Sequence, residues 1–420
     1  MRAILRMKKV SAQRQAAFET LYRICYDSAY SNIAVDNALS QLNEGKAFTA
    51  RIVYGVLERL ITLDYIIDRF CDKPKPKLRI ILRMGVYQLY FMDKVSTAAA
   101  IDESVKLAKA NGLKYYSSFI NAVLHKVDSN RINIDELDDI SVRYSVPQSL
   151  INMWIKAYGR ETVLQYLPGL NEAPPVFAVP NSFNTDADAL CTMLTVEGVR
   201  CSVFEDIVKI TSSPDLTLLE AFKNGFFYIQ DVNCYKAIKA LDIKQGERVI
   251  DVCAAPGGKS FTAAMFAGKS GEVLSFDLHK SRVSLIKEAA GRLGLTNISA
   301  DVNDACVFND RIGSADKVIC DVPCSGYGIV RRKPEIRYKE LDSIKGLPDI
   351  QLKILNVSAG YLKNGGRLLY STCTLNRREN EAVIDRFLNE NKAFSVLQMK
   401  TFFPGENDGD GFFYCVLERK

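Results

Sequence analysis

Histidine is nearly absent from this 420-residue chain, with only His125 and His279 present. Eleven cysteines occur, yet no two stand in a CxxC pair. Without imidazoles or paired thiols to act as ligands, a metal site is not expected, and no disulfide framework is implied. Reduced thiols in a cytoplasmic setting are expected instead, most of them small buried apolar groups. Long apolar runs are missing too. None approaches the ~20 residues that cross a bilayer, so no membrane partner is expected. The basic stretch Met1–Val10 leads into neither an apolar core nor a small-residue cleavage site, and a secretory signal is not expected. Two phosphate-binding patterns, GxxxxGK[ST] and GxGxxG, are also lacking, which excludes a P-loop and the usual dinucleotide fingerprint.

What is present describes a globular chain of two or three domains, 48% hydrophobic and 25% charged. Its formal charge of +6 suits a polyanionic partner without requiring one. Residues 1–130 read as an all-helical domain. Phe18, Leu21, Tyr22 and Cys25 recur at helical spacing, as do Ile52, Val53, Val56, Leu57, Leu60 and Ile61. Lys73-Pro74-Lys75-Pro76 interrupts that pattern. The polar stretch Asp128–Asp139 serves as a linker. Residues 141–232 predict a small α/β subdomain, with a helix near Leu150–Tyr158 and short strands near Val176–Val179, Ser202–Phe204 and Ile207–Ile210. From 233 to 420, short β-branched strands alternate with amphipathic helices: Arg248–Val252, Val273–Asp277, Lys317–Asp321 and Arg367–Ser371, with a helix over Ser281–Leu293. That alternation specifies a Rossmann-like parallel sheet covered by helices on both faces.

The most specific local signal is Cys253-Ala254-Ala255-Pro256-Gly257-Gly258-Lys259, which follows a strand and opens a helix. Ligands of open parallel sheets bind at such a turn, where glycines let backbone amides approach. Asp277 closes the next strand, where a carboxylate can accept from ribose hydroxyls, and Asp304 follows the third, where it can meet an adenine edge. Each acid alone is more often a loop carboxylate or a helix cap. Three such features on successive strand ends favour an adenosyl cofactor. The fourth strand then ends in Asp321-Val322-Pro323-Cys324-Ser325-Gly326 and the fifth in Ser371-Thr372-Cys373-Thr374. Either cysteine alone reads as a structural thiol, but together they deliver two sulfurs to one sheet edge beside an aspartate.

Carbon 5 of cytosine is a poor nucleophile. A thiolate added at carbon 6 converts the ring to an enamine that can take a methyl group, after which carbon 5 loses its proton and the sulfur leaves. A free thiol, with pKa ~8.5, is only slightly ionised near neutrality, so the site must favour the thiolate or supply a base. Asp321 is placed to bind the exocyclic amine or, when protonated, ring nitrogen 3.

At these residues the sequence resembles the RNA cytosine-5 methyltransferases, and among them the RsmB/Sun/Fmu family that acts on 16S ribosomal RNA. The likeness spans nearly the whole chain. It implies S-adenosylmethionine as cofactor, contacted by Cys253, Ala254, Ala255, Pro256, Gly257, Gly258, Lys259, Asp277, Asp304 and Asp321. It also implies Cys373 as nucleophile, Cys324 as the residue that assists release, and cytosine 967 as the family's target. Cys324 as nucleophile remains the alternative. Gly225–Asp231 resembles a segment that helps enclose the cofactor, and Asp410-Gly411-Phe412-Phe413 a terminal antiparallel strand. The helical domain resembles a NusB-like RNA-binding domain around Leu82–Leu89 and Phe119–Leu124. Two departures stand out: His125 occupies a position usually held by Arg, and Phe177–Asn181 lacks the Arg that usually precedes the Asn.

The expected partner is therefore RNA, as naked 16S ribosomal RNA or a partly assembled small subunit, met by a monomer. Arg331-Arg332-Lys333-Pro334, Arg337 and Arg377-Arg378 are candidate phosphate contacts, or else ordinary solvated loops. Two competing readings are an RNA chaperone with an idle methyltransferase fold and a DNA or small-molecule methyltransferase. The intact Asp321, Cys324 and Cys373 set argues against the first, and the helical domain against the second.

Overall fold

A computed structural model describes residues 10–27 and 31–420. The chain divides into two compact units. One runs up to Lys156 and adds Val163–Asn171 and Val330–Lys339, while the other holds Ala157–Thr162, Glu172–Ile329 and Glu340–Lys420.

The first unit is helical: α1 (Ala12–Tyr26), α2 (Ser31–Ser40), α3 (Lys46–Glu58), α4 (Leu60–Asp68), α5 (Pro76–Phe91), α6 (Thr97–Ala110), α7 (Ser117–Ser129) and α8 (Ile140–Tyr144). It also takes in most of α9 (Gln148–Tyr158) and α10 (Arg160–Tyr166). Ser11 caps α1, Ser96 caps α6 and Pro76 sits in the first turn of α5, so three helix starts are written locally. Leu21, Ile52, Val56, Ile67, Ile81, Tyr87 and Leu124 are sealed into one core. Arg83 forks onto both oxygens of Asp64 at 2.8 and 2.6 Å, tying α5 to α4.

Arg337 corrects a sequence expectation. It is not placed to hold phosphate, being 1% exposed. Its guanidinium donates to the carbonyls of Glu58, Ser145, Leu170 and Val330 and to Asn171 Oδ1, at 3.1–3.3 Å. Five acceptors around a buried fork make it the pin that fastens segment 330–339 within the helical unit. Tyr338, next in sequence, donates to Leu57 O at 2.8 Å.

The second unit contains two sheets. The smaller is antiparallel, in the order β2 (Arg200–Phe204), β3 (Ile207–Ser212), β1 (Val176–Pro180), β4 (Phe227–Ile229). It is backed by α11 (Ala187–Val196), the short α12 (Glu220–Lys223) lies between β3 and β4, and the fourth strand was not anticipated. Asn181, where the usual preceding Arg is missing, is buried and donates to Gly225 O at 2.9 Å and Leu293 O at 2.7 Å.

The larger sheet has seven strands: β5 (Arg248–Asp251), β6 (Glu272–Asp277), β7 (Ile298–Val302), β8 (Ala315–Asp321), β9 (Leu362–Thr372), β10 (Phe394–Phe402) and β11 (Phe412–Arg419). Their order is β10-β11-β9-β8-β5-β6-β7. Strands β5 to β9 run parallel, and β11 enters antiparallel between β9 and β10, as Asp410–Phe413 led us to expect. Helices α13 (Val232–Ala240), α14 (Gly258–Ala267) and α15 (Lys280–Leu293) share a core with Val249, Val273 and Ile319. Helices α16 (Leu347–Gly360) and α17 (Glu381–Glu390) cover the opposite face through Ile250, Val318 and Leu368. The alternation of Val249 and Ile250 between two cores is the period-2 signature of a doubly wound strand. Strand β10 escapes sequence reading because it lies at the edge, mostly exposed and interrupted by a register shift between Val396 and Gln398. Among the described residues no helix is long and apolar enough to cross a membrane.

The pin generates one prediction. Arg337→Ala leaves buried carbonyls without donors, and should lower the stability of the helical unit by about 3 kcal/mol. Trp154, the chain's one tryptophan, is buried in that unit against Tyr166 and reports its unfolding in urea. A loss below about 1 kcal/mol would mean that other donors replace the guanidinium.

Candidate active site

Strand order fixes where the site lies. The chain proceeds from β5 outward to β6 and β7, then returns to β8 on the other side of β5. The carboxyl ends of β5 and β8 thus flank the switch point, where open parallel sheets bind ligands.

The turn after β5 is the Cys253–Lys259 segment. Gly257 holds φ +114° before α14 begins at Gly258, a conformation that side chains other than hydrogen rarely take. Pro256 is exposed, Ala254 and Ala255 are buried, and Cys253 is half-buried. Beneath the turn Asp251 is fully buried; its Oδ2 accepts from Ser260 Oγ at 2.7 Å while Oδ1 has no partner. Burial pushes its carboxyl up to about 7. Above the first turn of α14, Gln230 Oε1 accepts from Thr262 Oγ1 at 2.8 Å and its Nε2 is buried without a partner. A Cβ placed on Gly258 would have the Gln230 side chain as its nearest neighbour, at 3.5 Å.

Asp277, at the end of β6, is 4% exposed. Arg282 braces it at 3.3 Å and also donates to Ala255 O at 2.7 Å, locking the turn to the neighbouring strand end. Asp304 lies just past β7, whose Val302 is in register with Asp277. It is exposed and accepts from Cys306 N at 2.9 Å within its own turn. These groups fit an adenosyl cofactor: a tight glycine turn, an unpartnered amide donor at its rim, and two carboxylates on adjoining strand ends. Arg282 and Gln230 were not singled out by sequence reading as individual residues, since neither lies in a recognisable nucleotide motif.

Across the switch point, Asp321 accepts from Lys259 Nζ at 2.7 Å and from Ser371 Oγ at 2.7 Å. Burial alone would lower the Lys259 ammonium, but the charge of Asp321 and its hydrogen bond outweigh that and raise it. Lys259 is therefore a fixed cation, also 5.3 Å from the Phe412 ring centre. One residue from the Gly-rich turn thereby orients a carboxylate on the other side of the site.

The two thiols meet. Cys324 Sγ and Cys373 Sγ are 3.2 Å apart, both half-buried. A hydrogen bond to Cys373, reinforced by burial, pushes the Cys324 thiol well up, and either sulfur of the pair can be the donor. Their loops are interleaved. Gly328 N donates to Cys373 O at 3.0 Å, and Gly328 O accepts from Gly411 N at 2.9 Å. A Cβ on Gly328 would lie 2.0 Å from Gly411 O, so only glycine fits there. Arg377 and Arg378 are exposed beyond Cys373, Arg377 lying 3.9 Å from Glu381. Arg331 is 7% exposed, which removes it from a solvated-loop reading. Among the described residues, no group of three or more His, Cys, Asp or Glu could hold a metal ion.

Comparison with known proteins gives the family. The family model for the 16S rRNA methyltransferase RsmB/F matches residues 238–418, and that for the NusB family matches residues 11–129. A Bacillus subtilis (strain 168) protein named "Probable ribosomal RNA small subunit methyltransferase B" is 36% identical over 99% of this chain and 100% of its own. The crystal structure of PH0851 superposes with a TM-score of 0.82 at 25% identity, over 98% of this chain and 99% of that one. NSun6 from Pyrococcus horikoshii, solved with SFG, shares the fold at a TM-score of 0.60 and 20% identity, over 65% of this chain and 98% of its own. A relative matched from end to end, with two family models on successive stretches, means that the chain belongs to the ribosomal RNA small subunit methyltransferase B (RsmB) family.

Proposed function

We propose that this protein methylates carbon 5 of a cytosine in 16S ribosomal RNA, cytosine 967 being the family's target, through a transient bond between Cys373 and carbon 6. The observation that carries this reading is the 3.2 Å contact between two sulfurs beside the Lys259–Asp321 pair. When bound, S-adenosylmethionine supplies an electrophilic methyl carbon, and Gln230, Cys253–Lys259, Asp277, Asp304 and Asp321 would hold it.

The chain's own residues do the remaining work. Cys373, as thiolate, adds to carbon 6, and the broken 5,6 double bond leaves carbon 5 nucleophilic. Asp321, turned by Lys259 and Ser371, faces the amine and ring-nitrogen edge of the base and polarises it toward attack. Once carbon 5 is methylated it loses a proton to a base, the double bond re-forms, and the Cys373 sulfur departs with its electron pair. Cys324, already in hydrogen-bond contact with Cys373, steadies that departing sulfur by donating its S–H to it. A base must leave its stack to reach these thiols, so the substrate is a single-stranded segment of naked or partly assembled RNA. Residues 1–130 contribute RNA binding, the small antiparallel sheet within 141–232 forms the α/β part, and 233–420 carry the chemistry of a cytoplasmic monomer.

Labelled S-adenosylmethionine with immature ribosomal RNA tests the activity; label confined to DNA or metabolites, or no transfer at all, rejects it. Cys373→Ala should abolish transfer while S-adenosylmethionine still binds. Cys324→Ala should accumulate a covalent protein–RNA adduct, seen as a retarded band on a denaturing gel. The reverse pattern, an active Cys373→Ala and an inert, adduct-free Cys324→Ala, would exchange the two roles. Asp277→Asn should weaken S-adenosylmethionine binding by roughly tenfold or more, read by calorimetry, because a charged acceptor becomes a neutral one.

A further inference from the structure

Behind the two thiols lies a carboxylate that the chemistry above does not use. Glu379 is 0% exposed, on the turn between Cys373 and α17. Four donors converge on it. Oε1 accepts from Ser325 Oγ at 2.6 Å and Asn376 Nδ2 at 2.7 Å, and Oε2 accepts from Ser325 N at 2.9 Å and Gln351 Nε2 at 3.0 Å. The donors come from three separate places: Ser325 from the Cys324 loop, Asn376 from the Cys373 loop, and Gln351 from α16.

The grip on Cys324 is two-sided. Gln351 Nε2 also donates to Pro323 O at 3.0 Å, so the residues before and after Cys324 are both held, one through Gln351 and one by the carboxylate itself. The Cys373 side is closed by Thr374, whose Oγ1 lies 2.6 Å from Ser325 Oγ and accepts from Tyr327 N at 3.3 Å. With Ser325 Oγ donating to Glu379, the Thr374 hydroxyl must donate to Ser325, so the proton order across the two loops is set by the carboxylate. A neutral residue there cannot accept four hydrogen bonds.

We propose that Glu379 is a positioning residue that clamps the two cysteine loops together and sets the sulfur–sulfur separation. Its catalytic consequence rests on the roles assigned above to Cys373 and Cys324, but the clamp itself does not. Glu379→Gln keeps the shape and turns an NH2 toward two of the four donors, breaking at least one hydrogen bond to a charged acceptor in either orientation.

The test uses the thiols as a ruler. Cys191 and Cys201 form a second close pair, 3.4 Å apart, on α11 and β2, and neither touches Glu379 or its partners, so it serves as an internal reference. Full-length protein is treated with diamide, quenched by alkylation and mapped by peptide mass. In Glu379→Gln the rate of disulfide formation at Cys324–Cys373, relative to Cys191–Cys201, should fall at least about tenfold in a protein that still unfolds cooperatively, with S-adenosylmethionine binding little changed. Methyl transfer should lose kcat rather than cofactor affinity. If Glu379→Gln does not fold, Gln351→Leu, which removes the strap to Pro323 and Glu379, should lower the same ratio. A wild-type ratio in a folded variant overturns the clamp. A lowered ratio in a protein whose wild type methylates no RNA supports the clamp and rejects the proposed function instead.

Discussion

The site depends on the register between β8 and β9. Asp321 pairs with Ser371 across two parallel strands, and the ladder closes when Val322 N donates to Ser371 O at 3.1 Å. Both chains leave the sheet within two residues of that pair, so their loops start side by side, about 4.8 Å apart, the spacing of neighbouring strands. Cys324 follows Asp321 by three residues and Cys373 follows Ser371 by two, which lets the sulfurs converge. A slip of one residue would turn Asp321 and Ser371 to opposite faces and separate the carboxylate from its hydroxyl donor. The register is held by burial: Val318, Cys320, Leu368 and Tyr370 fill one core while Ile319 and Leu369 fill the other.

From that constraint follows a concentration of buried and half-buried polar groups that would be costly anywhere else. Asp251, Asp277, Lys259, Asp321 and Glu379 all lie at the carboxyl edge of the large sheet or the turns that leave it. Glu379 is fully satisfied by protein donors. By contrast, Asp251 Oδ1 and Gln230 Nε2 are left unpaired, one beneath the Gly-rich turn and one above it. Two unpaired polar groups on either side of one turn add to the case for a ligand held there.

How legible each part was follows from how local its cause is. Strands β5, β6, β8 and β9 read directly, because burial on both faces demands unbroken β-branched and apolar runs. The glycine turn and the two cysteines read directly too, since they sit at fixed offsets from those strand ends. Glu379 could not be read this way. It stands in Asn376-Arg377-Arg378-Glu379-Asn380-Glu381, which has the composition of a solvated helix start, and only the tertiary return of the Cys324 loop supplies its donors. Arg337 misled for the same reason: near Arg331 and Arg332 it looks like part of a basic surface, whereas the carbonyls that bury it belong to residues as far away as Glu58. Sequence reports propensity and period well, and partners drawn from distant segments poorly.

Two thiols in contact cannot both be ionised without placing like charges against each other in a half-buried site. Contact therefore imposes an asymmetry that separation would not. One sulfur keeps the proton and the other receives the hydrogen bond, and the raised Cys324 thiol suits that residue to the first part. A reaction that needs one thiolate to attack, and one protonated group to steady the same sulfur as it leaves, is served by such a pair without any rearrangement between the two steps. On the proposed mechanism the distance between the sulfurs is a functional quantity in its own right. Rigid hydrogen bonding behind the loops, rather than the flexibility usual for catalytic loops, is what a site of this kind requires.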